Sequence, residues 1–242
     1  MKIIKAPSPN HDERTLPVSL LVLHYTGMET GAAALAHMCD EAAKVSAHYM
    51  VEEDGRVFQL VNEDRRAWHA GVSSWGGKTN INSASIGIEI VNGGHDFGLS
   101  EFPKVQIGSV IRLCGAIMQR HDILPFGVVA HSDIAPGRKQ DPGEKFPWHL
   151  LAEQGVGAWP DAKSNDRRVL FEKDAQSRSV SVLQKGLAYL GYGIGITGTM
   201  DEDTCLVIAA LQRRYRPEKV DGIVDVQTME VLTLLADIKN AR

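Results

Sequence analysis

Hydrophobic positions in the first two thirds of the chain fall into short runs and one long period, and the two alternate. Val18 to Leu23 is an apolar, β-prone run that ends at His24, with Tyr25-Thr26-Gly27 as its exit turn. Ala47 to Val51 and Arg56 to Val61 flank Glu52-Glu53-Asp54-Gly55, and an Asp-Gly between two such runs predicts a hairpin. Ser85 to Asn92 alternates, with Ile86, Ile88 and Ile90 on one face and Gly87, Glu89 and Val91 on the other. From Pro103 the residues Val105, Ile107, Val110, Ile111, Cys114, Ile117 and Met118 recur at helical spacing, which predicts the main helix packed on a sheet. Thr30 can cap another helix through Ala33, Leu35, Ala36 and Met38. Val128-Val129-Ala130 is a last short strand that delivers His131 at its end. This interleaving predicts an α/β (α+β) domain over residues 1–160, with a central mixed β-sheet flanked by helices.

The remaining segments are read by their breakers. Residues 1–17 carry three prolines and suggest an extended arm over the surface, and the Gly/Ser/Asn stretch from Val72 to Ser83 suggests a surface loop. Residues 161–178 are polar and charge-mixed, apart from Val169-Leu170-Phe171, and suggest a linker. Beyond it, Gly198 to Thr204 and Gly222 to Thr228 both read G-x-x-D-x-x-T, offset by 24 residues. In each copy the glycine permits a tight turn and the aspartate can cap the helix that follows. Three helices at about 179–190, 201–214 and 225–238 are predicted, forming a small all-α domain over 179–242, near the lower size limit for folding alone.

Composition narrows the partners. The 242 residues are 43% hydrophobic and 23% charged with net charge −4, and the basic residues are scattered, which argues against a nucleic-acid partner. The longest purely apolar run near the start, Leu20 to Leu23, is far too short for membrane insertion. The N-terminus breaks off after two isoleucines, without the apolar stretch of a secretory signal, so a cytoplasmic chain is expected. A periplasmic or extracellular one, exported by a non-classical or phage-type route, is the alternative. Cys39, Cys114 and Cys205 have no CxxC spacing and read as core thiols.

Chemistry concentrates in His131-Ser132-Asp133-Ile134-Ala135-Pro136-Gly137-Arg138-Lys139-Gln140-Asp141-Pro142-Gly143. His131 and Asp141 are ten residues apart, within reach of one centre if the Gly/Pro-constrained loop doubles back. His24 repeats the strand-then-histidine arrangement, and with His131 and Asp141 it could form a Zn2+ site whose fourth position stays open for water. Nine histidines and thirty acidic residues allow many such combinations, so each histidine reads equally well as a structural residue. Glu89 is sharper, because a carboxylate on an apolar strand costs several kcal/mol unless paired or neutral. It is either held by an arginine or a backbone amide, or it is a general base of raised pKa. Lys139 is a solvated loop lysine or the stabiliser of a tetrahedral oxyanion. His69, in Ala67-Trp68-His69-Ala70-Gly71, could contact substrate or be an ordinary surface histidine, while His48 reads as a core or supporting residue. His11, His37, His95, His121 and His149 have no context that favours chemistry.

Four of these stretches together resemble the zinc-dependent type 2 N-acetylmuramoyl-L-alanine amidases, relatives of the peptidoglycan recognition proteins. They are Leu23-His24-Tyr25-Thr26, Ala67-Trp68-His69-Ala70-Gly71, Ser85-Ile86-Gly87-Ile88-Glu89 and the loop from His131 to Gly143. Residues 179–240 resemble a three-helix peptidoglycan-binding domain. The resemblance implies that His24, His131 and Asp141 bind zinc, that Glu89 is the base, that Lys139 steadies the developing charge, and that Trp68, His69 and Ala70 meet the substrate. It implies cleavage of the amide between N-acetylmuramic acid, or its anhydro form, and the L-alanine of a stem peptide, with peptidoglycan or muropeptide fragments as partners. The alternative is a non-catalytic module that binds or senses peptidoglycan.

Overall fold

The computed structural model describes residues 2–241. Its elements in chain order are β1 (Ile3–Lys5), β2 (His11–Glu13), β3 (Leu20–Tyr25), α1 (Gly31–Cys39), β4 (Tyr49–Val51), β5 (Val57–Gln59), β6 (Arg65–Ala67), α2 (Ile81–Ala84), β7 (Ser85–Ile90), α3 (Lys104–His121), β8 (Val128–Ala130), α4 (His131–Ile134) and α5 (Trp148–Glu153). There follow β9 (Val169–Phe171), α6 (Arg178–Leu190), α7 (Glu202–Tyr215), β10 (Val224–Asp225) and α8 (Val226–Asn240). Six strands form the central sheet in the order β1-β5-β4-β7-β3-β8. It is mixed, as expected: β4 and β5 are antiparallel and every other neighbouring pair is parallel.

The period-2 pattern explains the two faces of this sheet. Leu21, Leu23, Ile86, Ile88, Ile90, Val128 and Ala130 all point to α3, whose Ile107, Val110, Leu113, Cys114 and Ile117 close that core. Val105, expected in the helix's apolar stripe, is 55% exposed. Gln106 turns inward instead, and its amide donates to the carbonyls of Val51 and Val91 at the ends of two strand segments. On the opposite face, α1 covers Met50 and Phe58 through Ala34 and Met38, with Thr30 capping it as predicted. Leu20, Val22 and Val129 on that face belong to a core shared with Leu187, Val207, Ile208 and Leu211 of α6 and α7.

That shared core ties the expected units together, and the segments between them carry more structure than their composition suggested. The three C-terminal helices form where predicted, each capped by Ser177, Asp201 or Asp225, but they do not stand apart. Burying each Leu or Val of the shared core stabilises the chain by roughly 1.5–3 kcal/mol, so the small unit and the sheet are one packed body. The 72–83 stretch is not a free surface loop, because Trp75 is buried against Tyr192 with ring centroids 4.9 Å apart and the stretch runs into α2. The segment expected as a linker contains β9, which pairs with β10. The N-terminal arm likewise pairs into structure, β1 with β5 and β2 with β6. The cysteines are all free, Cys114 buried and the other two half-buried.

Candidate active site

The chemistry sits where three parallel strands end. Pairing of β3 with β7 sets His24 opposite Glu89, and pairing with β8 sets Leu23 opposite Ala130, so that Glu89, His24 and His131 follow one another across neighbouring strands. The carboxyl ends of strands are where open α/β sheets form ligand crevices. Since Leu23, Ile88 and Ala130 face α3, alternation sends His24 and Glu89 to the other face. Asp141 arrives as the loop reading anticipated: the Ser132 N–H donates to the Asp141 carbonyl at 3.0 Å and closes the loop on itself. The loop does not begin as loop, however, since His131 opens the short helix α4.

His24 Nδ1, His131 Nδ1 and Asp141 Oδ2 form a triangle with sides of 2.9, 3.0 and 2.9 Å, and all three side chains are buried. What their other atoms do sets the proton positions. The second nitrogen of His131 donates to the Ala70 carbonyl at 3.2 Å, which leaves its Nδ1 with a lone pair. His24 Nε2 donates to His69 Nδ1 at 3.0 Å, His69 Nε2 to the Ser85 hydroxyl at 3.2 Å, and that hydroxyl to the Ile81 carbonyl at 2.6 Å. Every proton in this relay has an acceptor, so His24 also turns a bare Nδ1 to the centre. Burial and then the neighbouring His131 push the His24 pKa down to about 4, which keeps it neutral.

Glu89 lies beside this triangle on the floor of a cleft of 520 Å³, together with Lys139, His69, His37 and His95. Its Oε2 is buried without a hydrogen-bond partner, neither arginine nor amide. Burial, followed by the charge of Asp141, lifts its pKa well above the ordinary value, and Lys139 pulls the other way. Of the expected substrate contacts, His69 borders the cleft, but both its ring nitrogens are engaged in the relay, and burial pushes its pKa far down. Trp68 and Ala70 do not line the cleft. The carbonyl of Ala70 instead receives His131 and Arg138. Gly87 is required by the relay: a Cβ there would come within 2.5 Å of the His69 ring.

Residues 14–144 match the N-acetylmuramoyl-L-alanine amidase family, and residues 176–232 match a peptidoglycan binding domain. The chain belongs to the N-acetylmuramoyl-L-alanine amidase family. It is 38% identical over 232 residues to the N-acetylmuramoyl-L-alanine amidase AmiD of Escherichia coli K12, covering 91% of this chain and 83% of that protein. The structure of E. coli AmiD with anhydro-N-acetylmuramic acid-L-Ala-D-gamma-Glu-L-Lys superposes with a TM-score of 0.80 at 35% identity, covering 96% of this chain and 91% of the other. AmpDh3 of Pseudomonas aeruginosa, in complex with anhydromuramic pentapeptide, superposes at 0.76 with 34% identity and 92% coverage of both.

The amidase cleft also holds residues that the sequence reading passed over. His95 follows β7, accepts the Tyr25 hydroxyl at Nδ1 (3.0 Å) and donates from Nε2 to Glu144 (2.8 Å). The available signal was positional, since His95 sits in a Gly93-Gly94 to Gly98 loop directly after a strand, like His24 and His131. His37 reaches the cleft from α1, and nothing local to its sequence announced that. His48 supports the floor as expected, its Nδ1 accepting the Gly87 N–H. No helix among the described residues is long and apolar enough to cross a membrane.

Proposed function

We propose that this amidase hydrolyses the bond between N-acetylmuramic acid, in its ordinary or 1,6-anhydro form, and the L-alanine of the stem peptide, with Zn2+ held by His24, His131 and Asp141. The observation that carries the reading is the triangle of two histidine nitrogens and a carboxylate oxygen, mutually about 3 Å apart and buried. With the histidine protons committed to Ala70 and His69, three lone pairs converge on one point. Such an arrangement is costly unless a cation occupies that point, and two nitrogens with one oxygen are the donor set of an open catalytic zinc site. Bound there, zinc would supply Lewis-acid polarisation of the scissile carbonyl and a lowered pKa for the attacking water.

The chain's own residues then divide the work. Glu89 Oε2, buried and unpartnered, takes the proton of the attacking water as the new C–O bond forms. Lys139, on the cleft wall and within electrostatic reach of Glu89 and His24, faces the negative charge that develops on the carbonyl oxygen. Glu89 next gives its proton to the alanine nitrogen, the C–N bond breaks, and a muramic carboxylate and a free stem peptide leave. His69 acts as a positioning residue for His24. Residues 1–160 carry this chemistry, and 179–242 form the peptidoglycan-binding unit, joined through 161–178.

The testing experiment is mass-spectrometric product analysis on soluble anhydromuropeptides and intact sacculi, each with and without a zinc chelator. Chelator-sensitive release of free stem peptide is the expected result. Intact substrate after incubation with folded, zinc-loaded protein would overturn it.

A further inference from the structure

The helix α7 of the small unit lies against the loop that carries two of the three metal ligands, and it touches that loop at three places. Leu206 covers Gly137, where a Cβ would come within 2.7 Å of the leucine. Arg213 approaches Glu144 at 3.8 Å, and Glu144 in turn holds His95 on the cleft wall. Arg214 enters the interior: Nη1 donates to Asp133 Oδ2 at 2.6 Å and Nη2 donates to the Val128 carbonyl at 2.9 Å. Its guanidinium stacks over Trp148 at 4.0 Å. Asp133 also accepts the Ala130 N–H on Oδ2 and the Tyr192 hydroxyl on Oδ1, both at 2.9 Å. Both members of the pair are sealed from solvent, Asp133 at 0% and Arg214 at 3% exposure.

These contacts bracket His131 from both sides, at Val128 before it and Asp133 after it. His131 is the first residue of a helix only four residues long. A single turn has no stability of its own in water, so its orientation must come from tertiary contacts. The pair is also an expensive one to bury, and it persists because every oxygen of Asp133 is met by a donor.

We infer that α7, through Arg214 and with Tyr192 beside it, is a positioning element for the metal ligands, so that the small unit completes the metal centre and does more than hold polymer. The inference rests on the reading of His24, His131 and Asp141 as metal ligands. Arg214 and Tyr192 touch neither metal nor substrate; they act through Asp133 and α4 on His131.

Deleting the small unit would strip Leu20, Val22 and Val129 of their cover, so the test uses the full chain. Arg214→Lys keeps the charge and loses the two-pronged donation, and Tyr192→Phe removes one hydroxyl. For each, the zinc dissociation constant is measured by competition with a chromophoric chelator, and amide hydrogen exchange over residues 131–141 is measured in the zinc-free chain. Partners of ligating residues commonly change metal affinity by about 10–100-fold. The expected result is zinc binding weakened about tenfold or more, faster exchange over 131–141, and, at saturating zinc, a KM for soluble muropeptides within about twofold of wild type. Wild-type zinc affinity and unchanged exchange in both variants, even with a lowered melting temperature, would reduce the pair to a stability element and overturn the inference. If Arg214→Lys does not fold, Tyr192→Phe decides. A wild-type chain that binds no zinc overturns the metal reading instead, and the exchange comparison distinguishes that failure from failure of the brace.

Discussion

Asp133 and Asp141 stand eight residues apart on one segment, both buried, and their surroundings are opposite in kind. Asp133 is met by donors on every side: a backbone amide, the Arg214 guanidinium and the Tyr192 hydroxyl. Asp141 meets two histidine nitrogens whose protons point elsewhere, with the unpartnered Glu89 nearby. The first carboxylate is complete with the protein alone, whereas the second is left facing lone pairs, the gap that the proposed cation would fill. A buried acid therefore marks a metal site by what its partners lack, and burial by itself does not separate a lock from a site.

Substitution at the incomplete site should cost activity and spare the fold. Asp141→Asn is expected to lose stoichiometric zinc and at least about 1,000-fold in kcat, while the urea stability of the zinc-free chain stays within about 1 kcal/mol of wild type. Metal analysis with steady-state kinetics reads the first two, and retained zinc would remove Asp141 from the ligand set. Glu89→Gln should keep the metal and lose about 100- to 10,000-fold in kcat. A rate within tenfold of wild type would place the base elsewhere.

At the complete site the order reverses. Asp133→Asn leaves the Arg214 charge buried without its counterion, which costs about 3–5 kcal/mol, measured as urea unfolding of the zinc-free chain. A loss under about 1 kcal/mol would mean that the pair contributes little to holding the two units together.

His48, behind the relay, gives a pH test. Burial first, and then the charge of Arg14, push its pKa from 6.5 down to about 3. The folded chain thus binds fewer protons than the unfolded one: the stabilisation is complete above about pH 6.5 and is lost as pH falls toward 3. On the order of 2–3 kcal/mol should be gone by about pH 4.5. Denaturation series at neutral pH and near 4.5 check this, and His48→Gln should shrink the difference by about that amount, leaving the share of His24 and His69; an unchanged difference in the variant would assign the acid sensitivity to other groups. The smallest effect belongs to the helix caps. Asp201 caps α7 by accepting the Thr204 N–H at 2.9 Å, and Asp201→Ala should cost about 1 kcal/mol in melting experiments while leaving zinc affinity unchanged. Weakened zinc binding in that variant would extend the brace on the metal loop as far as the start of α7.

Much of the site was legible because it is written in local chemistry. The apolar runs ending at His24 and His131, the Gly/Pro loop to Asp141 and the lone carboxylate among isoleucines each carry their signal within a few residues. What local pattern left unread shares one cause. Trp75, Tyr192, Arg213 and Arg214 lie far apart along the chain or on polar stretches, and only packing turns them into an interface. Trp68 and Ala70 fell in a matching motif, yet what their neighbourhood contributes is a carbonyl for His131 and a ring, His69, for His24.

By itself, then, the sequence determined the mixed sheet, the main helix and the three C-terminal helices, since periodicity and turn chemistry act over a few residues, and its resemblance to a family pointed to His24, His131 and Asp141 as candidate ligands. Only the tertiary structure decided that His69 engages His24, that His37 and His95 reach the cleft, and that the small unit grips the loop from His131 to Gly143. Those outcomes depend on strand order, register and which faces are left to be covered, and such long-range pairings leave no mark in the spacing of residues along the chain.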